Sequence, residues 1–354
     1  MRFLSTLNML SNSSATVPAD DGSVSPDLLW RIADKAASER CQEDESEMQS
    51  TLQMVDLCDA IHLYCMPFLI VVGVVLNSVN FVTFRTSTLR LYATGVYVCA
   101  LAVMDSTALA THVPRRWLNA LYVAVGWGRR VTPYDTVDVA CKTLTLIAGA
   151  AQFASAWTTV AMAAERASVA VNPYRVNPLR QAPAARVIVV LLATAAVAVS
   201  CHVIVTWHSA GGSCLPRSGP VVVVAAMFVA EALAFTVPVA LLAALAAVAV
   251  RGIVVGGRAD RRRRLGVDLA ARLRAERRVT VMVVWLAAAH VALAVPRVAT
   301  WATRMYLAFV PGSCGWDRQR ADAADSVAEL IFVVIYVIKF IICFVAGRDV
   351  IGAE

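Results

Sequence analysis

The chain has 354 residues, of which 59% are hydrophobic and only 16% are charged. Soluble domains average roughly 45–50% apolar residues, so this composition favours a membrane protein. The formal net charge is +7, but the basic residues cluster in loops beside apolar stretches. The charge therefore does not indicate a nucleic-acid-binding protein, and the expected surroundings of the chain are a lipid bilayer.

Seven apolar stretches recur along the chain, and each is long enough to cross a bilayer, which takes about 20 residues. Each is rich in Val, Ala, Leu and Ile and ends at charged residues, Pro or Gly. The predicted fold is therefore an all-α membrane protein, a seven-transmembrane helix bundle, with helices at about 60–84, 92–113, 142–164, 186–207, 219–250, 279–303 and 325–346.

Loop charge sets the expected orientation of the bundle. Segment 251–278 holds ten Arg against three acidic residues, whereas residues 1–59 hold eleven Asp or Glu against four basic residues. Because positively charged loops stay in the cytoplasm, we expect the N-terminus outside and the C-terminus inside. The expected domains are an acidic, poorly ordered extracellular tail (1–59), the bundle (60–347) and a very short cytoplasmic tail (348–354).

The predicted outer side carries a glycosylation sequon at Asn12 and five of the nine cysteines. Disulfides persist on that side, where the five are Cys41, Cys58, Cys141, Cys214 and Cys314. Cys314 is expected to pair with either Cys41 or Cys58, and spacing does not choose between them. No group of residues has the spacing of a metal site or catalytic nucleophile, and no phosphate-binding loop occurs. We therefore expect no enzyme, metal or cofactor.

Fixed spacings within and between the spans carry a more specific resemblance. Arg166 follows Cys141 by 25 residues, within Glu165-Arg166-Ala167, and Pro173 follows. Four other predicted spans carry further residue pairs at fixed spacing. These are Gly73 with Asn77, Leu101-Ala102 with Asp105, Phe235 with Pro238, and Glu276 with Pro296. Over about 60–350 the chain thus resembles the rhodopsin-like (class A) G-protein-coupled receptors.

That resemblance implies three structural features. A disulfide would join Cys141 to Cys214 and tie the loop between the fourth and fifth spans across the mouth of the bundle. Arg166 would pair with Glu165 and Glu276 as an ionic lock at the site of G-protein coupling. Pro238 and Pro296 would kink the fifth and sixth helices, because Pro removes a backbone hydrogen bond.

Lys339 departs from the family pattern at a position that the resemblance assigns to a sodium pocket around Asp105, Asn77 and Ser155. A Lys within a membrane helix costs roughly 3 kcal/mol unless it finds a partner. We therefore predict that its ammonium occupies the ion site and pairs with Asp105. The alternative is that Lys339 extends to the membrane interface.

Charged residues in the outer halves of the helices are candidates for ligand binding, because charges at membrane depth usually face the bundle interior. Glu329 matches a glutamate that chemokine receptors use for ligand contact, and the acidic tail would attract basic chemokines. The other candidates are Glu231, Arg297, Arg115 and Arg304. Glu231 and Arg297 are alternatively expected to neutralise each other.

Several switch residues of the family are replaced in this chain. Lys339-Phe340 stands where the seventh helix should read Asn-Pro, Ala294 replaces a Trp, and Ala246 replaces a Tyr. With an Arg-rich composition, these changes resemble herpesvirus-encoded chemokine-receptor homologues. The expected protein lies in host plasma or endosomal membranes, or the virion envelope.

Two functions are expected from that resemblance. The first is signalling through a host heterotrimeric G protein, driven by a chemokine or other extracellular ligand, or constitutive. The second is a non-signalling seven-helix scaffold that forms homo- or heteromers with host receptors, or lowers their surface level in immune evasion.

Overall fold

The computed structural model describes residues 45–86, 91–126, 137–172, 180–210, 213–216, 221–262, 267–309 and 315–351. Within them, seven helices are long and apolar enough to cross a membrane, at Gln49–Thr86, Ala93–Tyr122, Asp138–Val171, Ala182–Thr206, Ala225–Val255, Leu273–Leu307 and Gln319–Val345. These helices, called spans 1 to 7 below, confirm the prediction of an all-α seven-helix bundle. Most extend further than the apolar stretches alone indicate.

Three spans are single continuous helices and four are built from two pieces. Spans 1, 3 and 6 lie within the helices Glu45–Thr86, Asp138–Val171 and Val267–Phe309. Spans 2, 4, 5 and 7 comprise Ala93–Thr111 with Val113–Ala124, Ala182–Ser200 with Val203–Thr206, Val221–Glu231 with Val237–Arg262, and Gly315–Val333 with Ile335–Ile351.

The two proline positions expected to kink the helices differ in local structure. In span 5 a π-helical turn, Ala232–Thr236, lies immediately before Val237 and Pro238. A proline ring clashes with the carbonyl four residues earlier, here that of Ala234, and the wider turn accommodates it. Span 6 instead continues as one helix through Pro296.

The bundle is apolar outside as well as inside. Large side chains such as Phe68, Leu191 and Trp285 face outward, and Trp285 is 66% exposed. Inside, Tyr97, Leu242 and Leu286 belong to one buried cluster. Monomeric soluble proteins rarely expose apolar surface on this scale, and lipid would cover it in a multi-pass membrane protein.

A short β-hairpin crosses one end of the bundle. Strands β1 (Trp207–Ala210) and β2 (Ser213–Pro216) pair antiparallel. Cys214 in β2 forms a disulfide with Cys141 of span 3, with the Cα atoms 5.6 Å apart. The predicted Cys141–Cys214 bridge is thereby confirmed. We call this end of the bundle the disulfide end, and the opposite end the Arg166 end.

The second predicted bridge needs a correction. Cys58 has a free thiol, which is buried and donates to the Ala323 carbonyl oxygen at 3.7 Å. The pairing of Cys314 with Cys58 is therefore wrong, because the Cys58 thiol packs between spans 1 and 7. Cys41 and Cys314, and the sequon at Asn12, lie outside the described residues.

Candidate functional site

Three clusters of polar side chains lie within the apolar bundle, and the first is at its centre. Asp105 of span 2 is fully buried and Lys339 of span 7 is 3% exposed. The Lys339 ammonium donates to Asp105 Oδ1 at 3.2 Å and to Ser155 Oγ at 2.6 Å, while the Ser155 hydroxyl donates to the same Asp105 oxygen. One cation thus joins spans 2, 3 and 7, and Lys339 does not extend to the interface.

Asn77 was expected in the same pocket but makes a different contact. Its side-chain amide donates to the backbone carbonyl oxygen of Tyr336 at 3.0 Å. Span 7 is interrupted at Val334, just before this carbonyl. Asn77 therefore fastens span 1 to the backbone of span 7, and its side-chain amide does not contact the ion pair.

The central cluster is a site whose cation is supplied by the chain itself. Two charges buried in an apolar interior lose their hydration, and only close pairing offsets that loss. Asp105 Oδ1 accepts both Lys339 and Ser155, so the positive charge beside this carboxylate belongs to the chain. Among the described residues, no group of three or more His, Cys, Asp or Glu side chains could hold a metal ion.

The second cluster lies at the Arg166 end. The Arg166 guanidinium makes a two-pronged contact with Glu165, with Nε donating to Oε2 at 2.5 Å and Nη2 donating to Oε1. Its third nitrogen, Nη1, donates to Glu276 Oε2 of span 6 at 2.8 Å. Such charge-assisted, bidentate bonds are the strong ones among hydrogen bonds. The three residues expected to form the lock are thus in contact.

A fourth charged residue joins this cluster, and the sequence did not single it out. Arg180, which directly precedes span 4, donates through Nη2 to the second oxygen of Glu276. In the sequence it is one of several Arg residues in a loop, so no pattern there distinguishes it. Arg180 lies 96 residues from Glu276, and only the fold brings the two together.

The third cluster lies toward the disulfide end and joins spans 2, 6 and 7. Asp325 accepts hydrogen bonds from Thr300 at 2.8 Å and Arg304 at 2.9 Å, and forms an ion pair with Arg297 at 2.7 Å, all three residues being in span 6. His112 Nε2 of span 2 lies 2.7 Å from a carboxylate oxygen of Glu329. The sequence spacing of these residues could have predicted the cluster. Residues three and seven positions apart lie on one face of a helix. The three span 6 residues have this spacing, and so do the acidic residues of span 7 at 322, 325 and 329.

Most of the predicted ligand-binding residues make contacts within the protein. Glu329 is 1% exposed and lies beside His112 and Arg297. Arg297 and Arg304 pair with Asp325. Neighbouring spans therefore already supply counter-charges to these three residues, and their expected role in ligand binding stays a prediction. A ligand would have to displace those counter-charges.

Arg115 and Glu231 complete the set of ligand candidates. Arg115 donates to the Cys214 carbonyl oxygen at 2.9 Å and lies over the ring of Trp207, so it fastens the hairpin to span 2. Glu231 and Arg297 form no ion pair within 4.0 Å among the described residues, but their opposite charges lie near enough to attract each other. Glu231 remains a candidate for ligand contact.

Comparison with protein-family models gives no match for this chain, and comparison with curated proteins gives none either. The fold and the clusters therefore define the class by themselves. The chain is a multi-pass membrane protein of seven helices, whose interior charges are mostly paired between spans.

Proposed function

We propose that the chain is a virus-encoded homologue of the rhodopsin-like G-protein-coupled receptors, similar to chemokine receptors. The contact of Glu165 and Arg166 with Glu276 carries the proposal, because it joins spans 3 and 6 at one end of the bundle. A contact that closes in one state and opens in another is what a two-state switch requires. Opening it would expose a cavity for a host heterotrimeric G protein.

The orientation follows from charge. The Arg-rich segment 251–278 would lie in the cytoplasm, and the disulfide end with the acidic tail would lie outside. The protein would then lie in host plasma or endosomal membranes, or in the virion envelope. An extracellular ligand such as a chemokine would reach Glu329 only by displacing His112 or Arg297.

A G-protein activation assay tests the proposal. Cells expressing the wild type should show nucleotide exchange above mock-transfected cells, and Arg166→Ala should abolish the excess. Arg186→Ala is the matched control, because Arg186 is an exposed Arg near the same end of the bundle. Equal exchange in wild-type and mock cells at equal surface expression would refute signalling.

A non-signalling scaffold is the second candidate, and a separate observation favours it. The Arg166 end is closed by ion pairs, and the expected ligand residue Glu329 is already in contact with His112 and Arg297. Such a closed bundle would still present its apolar faces to host receptors for homo- or heteromer formation. If the wild type lowers the surface level of co-expressed host receptors and Arg166→Ala does so equally, the scaffold function is supported.

A further inference from the structure

Glu276 has both of its carboxylate oxygens occupied by arginines from different parts of the chain. Oε2 accepts from Arg166 Nη1 at 2.8 Å, and Oε1 accepts from Arg180 Nη2. Arg166 belongs to span 3, whereas Arg180 lies at the start of span 4. Span 6 is therefore held from two directions by one side chain.

The two arginines are anchored independently of each other. The buried carboxylate of Glu165 fixes the guanidinium of Arg166. Arg180 is followed directly by Gln181, which forms a β-bridge with Tyr92 ahead of span 2. The Gln181 carbonyl oxygen also accepts the backbone N–H of Ala185 in the first turn of span 4, at 3.2 Å. The backbone next to Arg180 is thus fixed between spans 2 and 4.

Charge balance shows why the second arginine matters. Arg166 contacts two carboxylates, those of Glu165 and Glu276, and has one positive charge to offset both. With Arg180 the cluster holds two positive and two negative charges. Without it, one negative charge would remain, and Glu276 would compete with Glu165 for the same guanidinium.

We infer that Arg180 is a positioning residue that completes the lock by holding Glu276 against Arg166. This inference rests on the proposed function, in which the Arg166 end opens to admit a G protein. The closed position of span 6 is then favoured most while both arginines contact Glu276. Loss of Arg180 should leave the bundle folded, because span 6 keeps other contacts, such as Arg277 donating to the Ile253 carbonyl oxygen of span 5 at 2.8 Å.

Distance measurements between spin labels test this directly in the full chain. The spin labels are attached to genetically encoded keto amino acids at Val171 and Ala275, which are both exposed at the Arg166 end. This attachment leaves the nine cysteines of the chain unlabelled. Arg180→Ala should raise the ratio of long to short span 3–span 6 distances about 1.5- to 5-fold, as expected for a partly exposed ion pair. Arg180→Lys should restore most of the short distance, and Arg186→Ala should match wild type.

The outcomes separate this inference from the proposed function. If Glu276→Ala lengthens the distance and Arg180→Ala does not, the role of Arg180 is refuted. Arg180→Ala added to Glu276→Ala should give no further lengthening, because both act through one carboxylate, and an additive effect would also refute it. If Arg180→Ala shifts the distances and no variant activates a G protein, the lock stands and the proposed function fails.

Discussion

The central ion pair and the Arg166 end use the same chemistry in different surroundings. Asp105 and Lys339 are both buried and form a one-to-one pair. At the Arg166 end, the side chain of Glu276 is 31% exposed and has two arginine partners. Water can hydrate the Glu276 carboxylate if either arginine moves away. No water can replace the partner of Asp105 or Lys339, because both side chains are buried. The difference identifies the centre as a fixed frame and the Arg166 end as the part able to move.

The largest effect should come from removing one central charge. Lys339→Met or Asp105→Leu leaves the other charge unpaired in an apolar interior, which costs about 3–5 kcal/mol. Each single variant should therefore unfold at a markedly lower temperature in detergent, measured by the loss of monodisperse protein.

The double variant sharpens this comparison. Asp105→Leu with Lys339→Met removes both charges, so most of the lost stability should return. If the destabilisation of the two single variants simply adds in the double variant, the pair is not coupled and the fixed-frame account is wrong.

Loss of the disulfide should have the next largest effect on stability, and it acts at the end of the bundle opposite to Arg166. Cys141→Ser opens the bridge to Cys214, and losing a native disulfide typically costs about 2–5 kcal/mol. We expect a lower unfolding temperature with an unchanged span 3–span 6 distance in the protein that stays folded. Cys65→Ser, at an exposed free thiol, is the control. A change at the Arg166 end on loss of the bridge would contradict independent behaviour of the two ends.

Breaking the lock should have a smaller effect on stability and a clear effect on signalling. Glu276→Ala removes the acceptor of two partly exposed ion pairs, worth about 0.2–1 kcal/mol each. The expected result is a several-fold rise in ligand-independent G-protein activation with little change in unfolding temperature. An unchanged basal level at equal surface expression would count against the lock.

The smallest expected effect concerns sodium. Because the Lys339 ammonium already contacts Asp105 and Ser155, the negative charge of this carboxylate is balanced without sodium. Exchanging sodium chloride for choline chloride at constant ionic strength should leave the wild-type unfolding temperature unchanged. Lys339→Met should gain a sodium-dependent increase, since ligands that bind only the folded state stabilise it. A clear sodium dependence in the wild type would contradict the idea of an internal cation.

The sequence predicts features that depend on spacing along one helix or on a family register. These include the seven spans, the contact of Arg166 with Glu276, and the pairing of Lys339 with Asp105. Apolar stretches are enough to predict the spans, and the cost of a buried charge predicts that Lys339 needs a partner. The particular partners, Glu276 for Arg166 and Asp105 for Lys339, came from the resemblance to the receptor family.

Features that depend on how neighbouring helices are rotated could not be predicted. The rotation of spans 2 and 6 brings His112 and Arg297 beside Glu329, and the sequence did not predict these two neighbours. Arg180 meets Glu276 because a β-bridge fixes the start of span 4. A single sequence gives the period of each helix and does not give its rotation relative to its neighbours.

The most direct test of movement at the Arg166 end is the distance between spin labels at Val171 and Ala275 with and without a nucleotide-free heterotrimeric G protein. In the wild type alone the short distance should predominate, matching the closed contact of Arg166 with Glu276. Adding the G protein should produce a second, longer distance, while a label pair placed on spans 2 and 7 beside Asp105 and Lys339 stays unchanged. An identical span 3–span 6 distance with the G protein bound, or a change confined to the centre, would contradict the account.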